Sequence, residues 1–288
     1  MTPVMVDRKA EKIKIKQINM SQIWLYGVYV VLAIATIYGF LTIDTKGIGM
    51  VQAAVRTVEY FGLMFGSPRA VPSHFAVTNN CQIATFFSAL NLVLRTLALA
   101  FLTTLIGGVV ALVLGLFAAR NLTNERLSNV IKGFVAFIRA VPTVLWVLIF
   151  AIGAGLGAVA AVIGMSFHTI GYLLKAYSES FEELDASAIE ALRASGASWS
   201  HIVFQAVIPS SITQLLSWTF IRLEINFAVA VAMGAAAGAG GIGYNMFIAA
   251  SYFFDIREIG YITIMILAIA LVMEIFATKL KKKYHLHS

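Results

Sequence analysis

The side chains best suited to chemistry in this 288-residue chain lie where chemistry is most expensive. Arg222, Glu224 and Asn226 fall inside the apolar run "SITQLLSWTFIRLEINFAVAVAMGAA". A guanidinium and a carboxamide are the donors that an oxyanion needs, through charge-assisted hydrogen bonds. On a helix, residues four apart share a face and residues two apart do not. Arg222 and Asn226 therefore face one way and Glu224 nearly the opposite way, so Glu224 is no intrahelical partner for the arginine. An ionisable group at this depth marks a functional position by default. Two readings stay open: Arg222 lines a path for an anion, or it forms a structural ion pair with another helix, for instance through Glu274.

Other chemistry finds little support. The chain has no G-x-S-x-G, no Cys/His cluster with metal-ligand spacing and no P-loop, so no catalytic residue, metal or cofactor is assigned to it. A literal G-x-G-x-x-G occurs at Gly238, Gly240 and Gly243, but a dinucleotide site needs a preceding strand and a βαβ unit. Here an apolar helix precedes it. Gly234 and Gly238, four apart, predict close helix packing. The alternative is a pore-lining turn near an outer gate that includes Gly240, Gly241 and Gly243. His168, alone in an apolar run, reads as a satisfied structural histidine. Cys81 is the single cysteine, so no intramolecular disulfide is available.

These residues must be positioned by elements in lipid. The chain is 60% hydrophobic and 12% charged, against roughly 25% charged in ordinary soluble domains. Apolar windows of about 20 residues, enough to cross the hydrocarbon, lie near 22–41, 89–118, 133–152, 158–177, 209–233 and 259–278. Lipid leaves such runs only the helix. The expectation is an all-α polytopic membrane protein with about six transmembrane helices. Pro142 sits in the third window, where it could kink the helix, and "GAGLGA" predicts a tight outer turn at about 153–157. Residues 42–88 form a long outer connection, with an amphipathic surface helix within 47–66.

Basic residues set the orientation. With both termini cytoplasmic, only Lys46, Arg56, Arg69 and Arg257 fall outside, and Arg95 and Arg222 fall within spans. All the others, from Arg8 to Lys283, are inside. The net charge of +7 is thus a topology signal, and nucleic acid is not an expected partner.

The segment "IEALRASGASWSHIVFQAVIPSS", 189–211, differs from its apolar flanks. From Ser178 to Ser195 the pattern is helical, with Phe181, Leu184, Ala188, Ala191, Leu192 and Ser195 on one face. Gly196 supplies a left-handed stop and Ser198 a cap for a second short helix. That helix directs Trp199, Ile202, Val203, Ala206 and Val207 one way. Pro209 fits the first turn of the next span. The acidic run Glu179, Glu182, Glu183 and Asp185 is either a solvated face or meets basic groups on a partner. On physics alone, the segment is either an amphipathic loop on the headgroups or a rigid cytoplasmic knob.

Resemblance decides between these. "EALRASG" followed by "IP" at Pro209 resembles the EAA signature of binding-protein-dependent ABC importer permeases, with Leu192 in place of the second Ala. "LRTLALAFLTTLIGGVVALVLGLFAARN", "RAVPTVLWVLIF", "HTIGYLLKAYSESFEELD" and "EINFAVAVAMGAAAGAGGIG" are similar to the phosphonate-transport branch. One departure is that Asn226 and Phe227 precede Ala228, where that branch usually has Arg.

The resemblance implies a type I ABC permease core at 89–280, with coupling helices at about 181–207. Before it come an N-terminal tail, first span and outer segment (1–88), and after it a basic tail (281–288). It implies a homodimer in the cell membrane with two ATPase subunits, which bind ATP and Mg, and an extracytoplasmic solute-binding protein. Glu190, Ala191, Leu192, Gly196 and Pro209 would form the ATPase-coupling loop. The implied cargo is phosphonate or a related phosphorus oxyanion. The alternatives are another small solute or an ion-coupled secondary transporter, although no inverted repeat is visible.

Overall fold

The computed structural model describes residues 20–42, 47, 49–79 and 81–283. The basic stretch from Arg8 to Lys16, Lys46 and residues 284–288, which carry part of the orientation and tail assignments, lie outside the described residues. Among the described residues all regular structure is helical.

The chain divides into two compact units, one up to Val58 and one from Glu59. The first contains α1 (Met20–Thr42), an uninterrupted apolar helix with no buried residue. The expected amphipathic helix within 47–66 is present as α2 (Met50–Gly66).

The second unit is built around α3 (Gln82–Ala118), a helix of 37 residues, about 55 Å long at 1.5 Å per residue. Small residues recur along one stripe of it, at Ala89, Thr96, Ala100, Thr104, Gly107 and Ala111, all buried. In lipid the hydrophobic effect does not pull helices together, so close backbone approach along such a stripe supplies the packing. Against this stripe lie α6 (Ala158–Glu182) and α9 (Ile208–Ala236).

The third expected span, 133–152, is not one helix. α4 (Glu125–Ala140) ends before Pro142, and α5 (Thr143–Ala154) restarts at a bend of 90°. Proline lacks the N–H that would continue the ladder and drives Val141 out of the α region. The kink expected there is therefore a break. Among the described residues five helices, or six spans if the bent pair is one, are long and apolar enough to cross a membrane. The outer turn expected at 153–157 is formed by Gly155 and Gly157, both with positive φ.

After α6 come α7 (Ala186–Ala194) and α8 (Trp199–Ile202). α8 then runs through a π turn, Val203–Val207, into α9 as one continuous helix, Trp199–Ala236. Pro209 lies in the first turn of α9 as expected, but that turn continues an unbroken helix instead of starting a new one. The wider π turn just before it accommodates a ring that a tight α turn would push against the carbonyl four residues back. α10 (Gly241–Ile248), a second π turn and α11 (Ile256–Lys283) complete the chain. Two apolar clusters hold the unit. One includes Val93, Met165, Phe227 and Ile262. The other includes Leu116, Leu173, Phe181, Ile189 and Val203.

Candidate functional site

Arg222 and Asn226 project from α9 into the seam between α3 and α6. Arg222 is 3% exposed. Its Nε and Nη2 donate to Thr169 Oγ1 at 3.3 and 3.2 Å, and its guanidinium lies 5.1 Å from the centre of the Tyr172 ring. Asn226 is fully buried and donates from Nδ2 to Thr104 Oγ1 at 2.8 Å and to Thr169 Oγ1 at 3.0 Å. Thr169 in turn donates to Met165 O at 2.8 Å. Gly107 makes this possible, because a Cβ there would sit 2.8 Å from the Cβ of Thr169.

Among the described residues no carboxylate lies within ion-pair distance of Arg222. Glu274, suggested as a partner, is exposed and, among the described residues, accepts only from Thr278 of its own helix. Glu224 is exposed on the other side of α9. The structure thus gathers two of the three path candidates into one buried polar node and leaves the third outside it. His168, the neighbour of Thr169, was expected to be satisfied, but its buried Nδ1 has no hydrogen-bond partner.

The glycine pair expected to pack, Gly234 and Gly238, is replaced by another. Gly238 lies beyond the end of α9 with φ +62° and open space where a Cβ would go. The close approach is between Gly234 and Gly243. A Cβ on Gly234 would sit 2.8 Å from Gly240 O and Tyr244 N, and one on Gly243 would overlap the Val231 carbonyl. The chain reverses at Gly238–Gly240, so the second contact comes from α10 and not from one turn along α9. Gly240 and Gly241 shape that reversal with positive φ.

The bent segment contains the two short helices expected, with a shifted register. α6 stops at Glu182, and Asp185 caps α7 by accepting from Ser187 N at 3.0 Å. The helix is therefore not continuous from Ser178 to Ser195. Ile189 becomes the buried residue of α7, while Ala188, Ala191 and Ser195 are exposed. Leu192 packs partly against the core. The turn is made at Gly196, φ +82°. Ser198 precedes α8 but bonds Ser200 and His201 side chains, giving no backbone cap. Ile202, Val203 and Val207 are buried as expected.

This segment is tied to the α3–α4 connection. Trp199 Nε1 donates to Leu122 O at 3.1 Å and its ring stacks on Phe117. Arg193 Nη2 donates to Asn121 O at 2.5 Å. Glu182 accepts from Arg120 N and from Lys132 Nζ, each at 2.7 Å. Glu182 is thus occupied within the chain, and Glu179 lies 3.5 Å from Lys175. Glu190 and Pro209 are exposed. Two hydrogen bonds from Ser187, first from its hydroxyl and then from its N–H, hold the Asp185 carboxyl below its usual range.

Thr104, Thr169 and Lys132 were missed in the sequence. Their only signal was hydroxyl residues within apolar windows, or one cation at a helix surface, and neither shows a partner until the helices pack.

Comparison with known proteins follows the same elements. The model of the family described as "Binding-protein-dependent transport system inner membrane component" matches residues 111–285. The phosphite transport system permease protein PtxC of Stutzerimonas stutzeri is 31% identical over 190 residues, covering 66% of this chain and 68% of that protein. The phosphate-import permease protein PhnE of Mycolicibacterium smegmatis is 29% identical over 192 residues, 66% of this chain but 36% of that relative, so the chain spans little more than a third of its length. A probable D-methionine transport system permease protein, MetI of Pasteurella multocida, is 28% identical over 161 residues, covering 52% and 74%.

Among solved structures, a chain of the inward-facing MetNI methionine ABC transporter superposes with a TM-score of 0.61 at 20% identity, covering 70% of this chain and 99% of that one. That likeness concerns the fold, which is that of a type I ABC importer permease. The region matched by the family model runs from the last two turns of α3 to α11 and takes in the bent segment and Thr169, Arg222 and Asn226 of the buried node. The chain is therefore a multi-pass membrane protein belonging to the family of inner-membrane components of binding-protein-dependent transport systems.

Proposed function

We propose that this chain forms the membrane path of an ATP-driven importer of a phosphorus oxyanion. It works as a homodimer with two ATPase subunits and one extracytoplasmic binding protein, with both termini cytoplasmic. The observation that carries this reading is the locking of the bent segment to the α3–α4 connection through Trp199, Arg193 and Phe117. A loop resting on headgroups has no need of such ties. A lever that passes force does, because α7 and α8 then move with the inner ends of α3, α6 and α9 as one body.

In this mechanism ATP closes the partner dimer, the exposed surface around Glu190 and Gly196 follows it, and the helices switch from inward- to outward-facing. Loaded binding protein then delivers its cargo, and hydrolysis on the partner resets the cycle. This chain performs no covalent chemistry. ATP and Mg belong to the partner ATPase.

The node of Arg222 and Asn226 stiffens the wall of the path. Glu224, exposed at membrane depth, faces a second copy or a water-filled path, since a carboxylate facing lipid is costly. The names of the PtxC and PhnE relatives support a phosphorus oxyanion. The methionine permease relatives favour a second reading, in which the cargo is an amino acid.

The test is ATP hydrolysis by the co-purified complex in liposomes, with loaded binding protein, across phosphonates, phosphite, phosphate and methionine. Stimulation by a phosphorus anion is expected. Stimulation by methionine alone moves the cargo to the second reading, and failure to recruit an ATPase removes the importer reading.

A further inference from the structure

The start of α3, the α10 helix and the 3-10 turn Pro72–Phe75 enclose a cavity of about 510 Å³. This lies within the size range of small-molecule sites, ~300–1,000 Å³. Its wall carries His74, Ser88, Asn91, Arg95 and Asn245, and no carboxylate.

The polar groups are held in place. Ser88 Oγ donates to Phe75 O at 2.6 Å, and Asn245 Nδ2 donates to His74 O at 3.1 Å. The His74 ring stacks on Phe253 with centroids 3.7 Å apart, and its Nδ1 lies 2.8 Å from Glu258 Oε2. Glu258 is 1% exposed and is not part of the wall.

Among the described residues Arg95 commits only its Nε, to Asn91 Oδ1 at 2.9 Å. Among the described residues no acid lies within ion-pair distance of it, so its terminal nitrogens remain for a ligand. Arg95 also borders a second cavity of about 390 Å³, with Leu99, Leu102, Ala239 and Gly241 in its wall. Arg95 thus lines both cavities. In the topology proposed above, both lie toward the outer side, where cargo arrives.

We infer that the cavity at Arg95 is an outer binding station for a tetrahedral phosphorus oxyanion, gripped by the guanidinium with Asn91, Asn245 and His74 around it. The ligand is either free anion on its way to the path or the headgroup phosphate of an outer-leaflet lipid. Both present the same oxygens to the same donors. The inference rests on the phosphorus-oxyanion reading of the cargo. It also separates the two membrane arginines, with Arg222 buried as a strut and Arg95 open as a receptor.

The experiment uses the full chain in nanodiscs and reads ³¹P line broadening. In phosphate-free galactolipid discs, added phosphite binds the native chain. Binding weakens at least about tenfold in Arg95→Gln, as expected for one lost charge-assisted contact. Arg95→Lys restores part of it, and Arg257→Gln, which removes an equal charge elsewhere, leaves it unchanged. In phosphatidylglycerol discs without phosphite, an immobilised headgroup signal that Arg95→Gln abolishes assigns the station to lipid.

Equal phosphite binding by the native chain and Arg95→Gln, or binding in neither arm, overturns the inference. Phosphite uptake by the whole complex alongside that result leaves the import function standing. A native complex that no phosphorus anion stimulates overturns the import reading itself.

Discussion

Arg222 and Asn226, one turn apart on α9, converge on a single acceptor, the hydroxyl of Thr169 on α6. That hydroxyl spends its own proton on Met165 O, so its bonding capacity is fully used. Through Thr104, Asn226 extends the tie to α3. Among the described residues, this cation in a bundle wall is held by one neutral hydroxyl oxygen and an aromatic face, without a carboxylate.

Thr169→Val tests this tie. It keeps the shape and removes the shared acceptor, leaving the buried Arg222 guanidinium without it while Asn226 keeps Thr104, at a cost of about 1–3 kcal/mol. Thermal unfolding of the purified chain in detergent should show the loss, and a variant as stable as the native chain would exclude the node as a strut.

The α9–α10 contact predicts opposite outcomes for two neighbouring glycines. Gly243→Ala drives a methyl into the Val231 carbonyl, and little monodisperse protein is expected on size exclusion. Gly238→Ala meets open space and costs only the strain of its left-handed backbone, roughly 1–2 kcal/mol. Equal yields of the two would contradict the packing described.

Decoupling is expected from changes at the bent segment. Gly196→Pro cannot adopt the φ of +82° that the turn requires. Glu190→Lys reverses charge on the exposed surface, and Trp199→Ala removes the tie to Leu122. All three variants should reach the membrane while ATP-dependent uptake falls at least about tenfold, the effect of losing ~1.4 kcal/mol of coupling. Normal uptake in all three would return the segment to a surface loop.

Acid should loosen α7 at its start. Asp185 has a lowered carboxyl pKa because Ser187 donates to it from its hydroxyl and its N–H. A group lowered in the folded state contributes stability above its unfolded pKa and loses it as pH falls through the folded value. Hydrogen exchange at 186–195 should therefore rise below the ordinary aspartate range, and Asp185→Asn should blunt that dependence. The same pH profile in both would assign the effect to another group.

The sequence by itself determined the solvent, the helical class, the number of apolar runs and the position of the bend at Gly196. Each of these is a local property. Lipid leaves a long apolar run one way to satisfy its backbone, and a glycine after a short amphipathic stretch permits the left-handed turn that ends it. The opposed faces of Arg222 and Glu224 were also legible, because the helical repeat alone sets them.

Partners belong to the tertiary structure. Thr169 becomes an acceptor only because Gly107 lets α6 approach α3, and Gly243 replaces Gly238 as packing partner only because the chain reverses between α9 and α10. Arg95 and His74 meet across 21 residues of chain to line one cavity. Pro142 shows the boundary between the two kinds of information. Its chemistry foretold a disturbance, but a break of 90° required α5 to find a place against α6, where Gly164 has no side chain to hold Val147 away. Periodicity fixes which way a side chain points, and packing alone fixes what it meets.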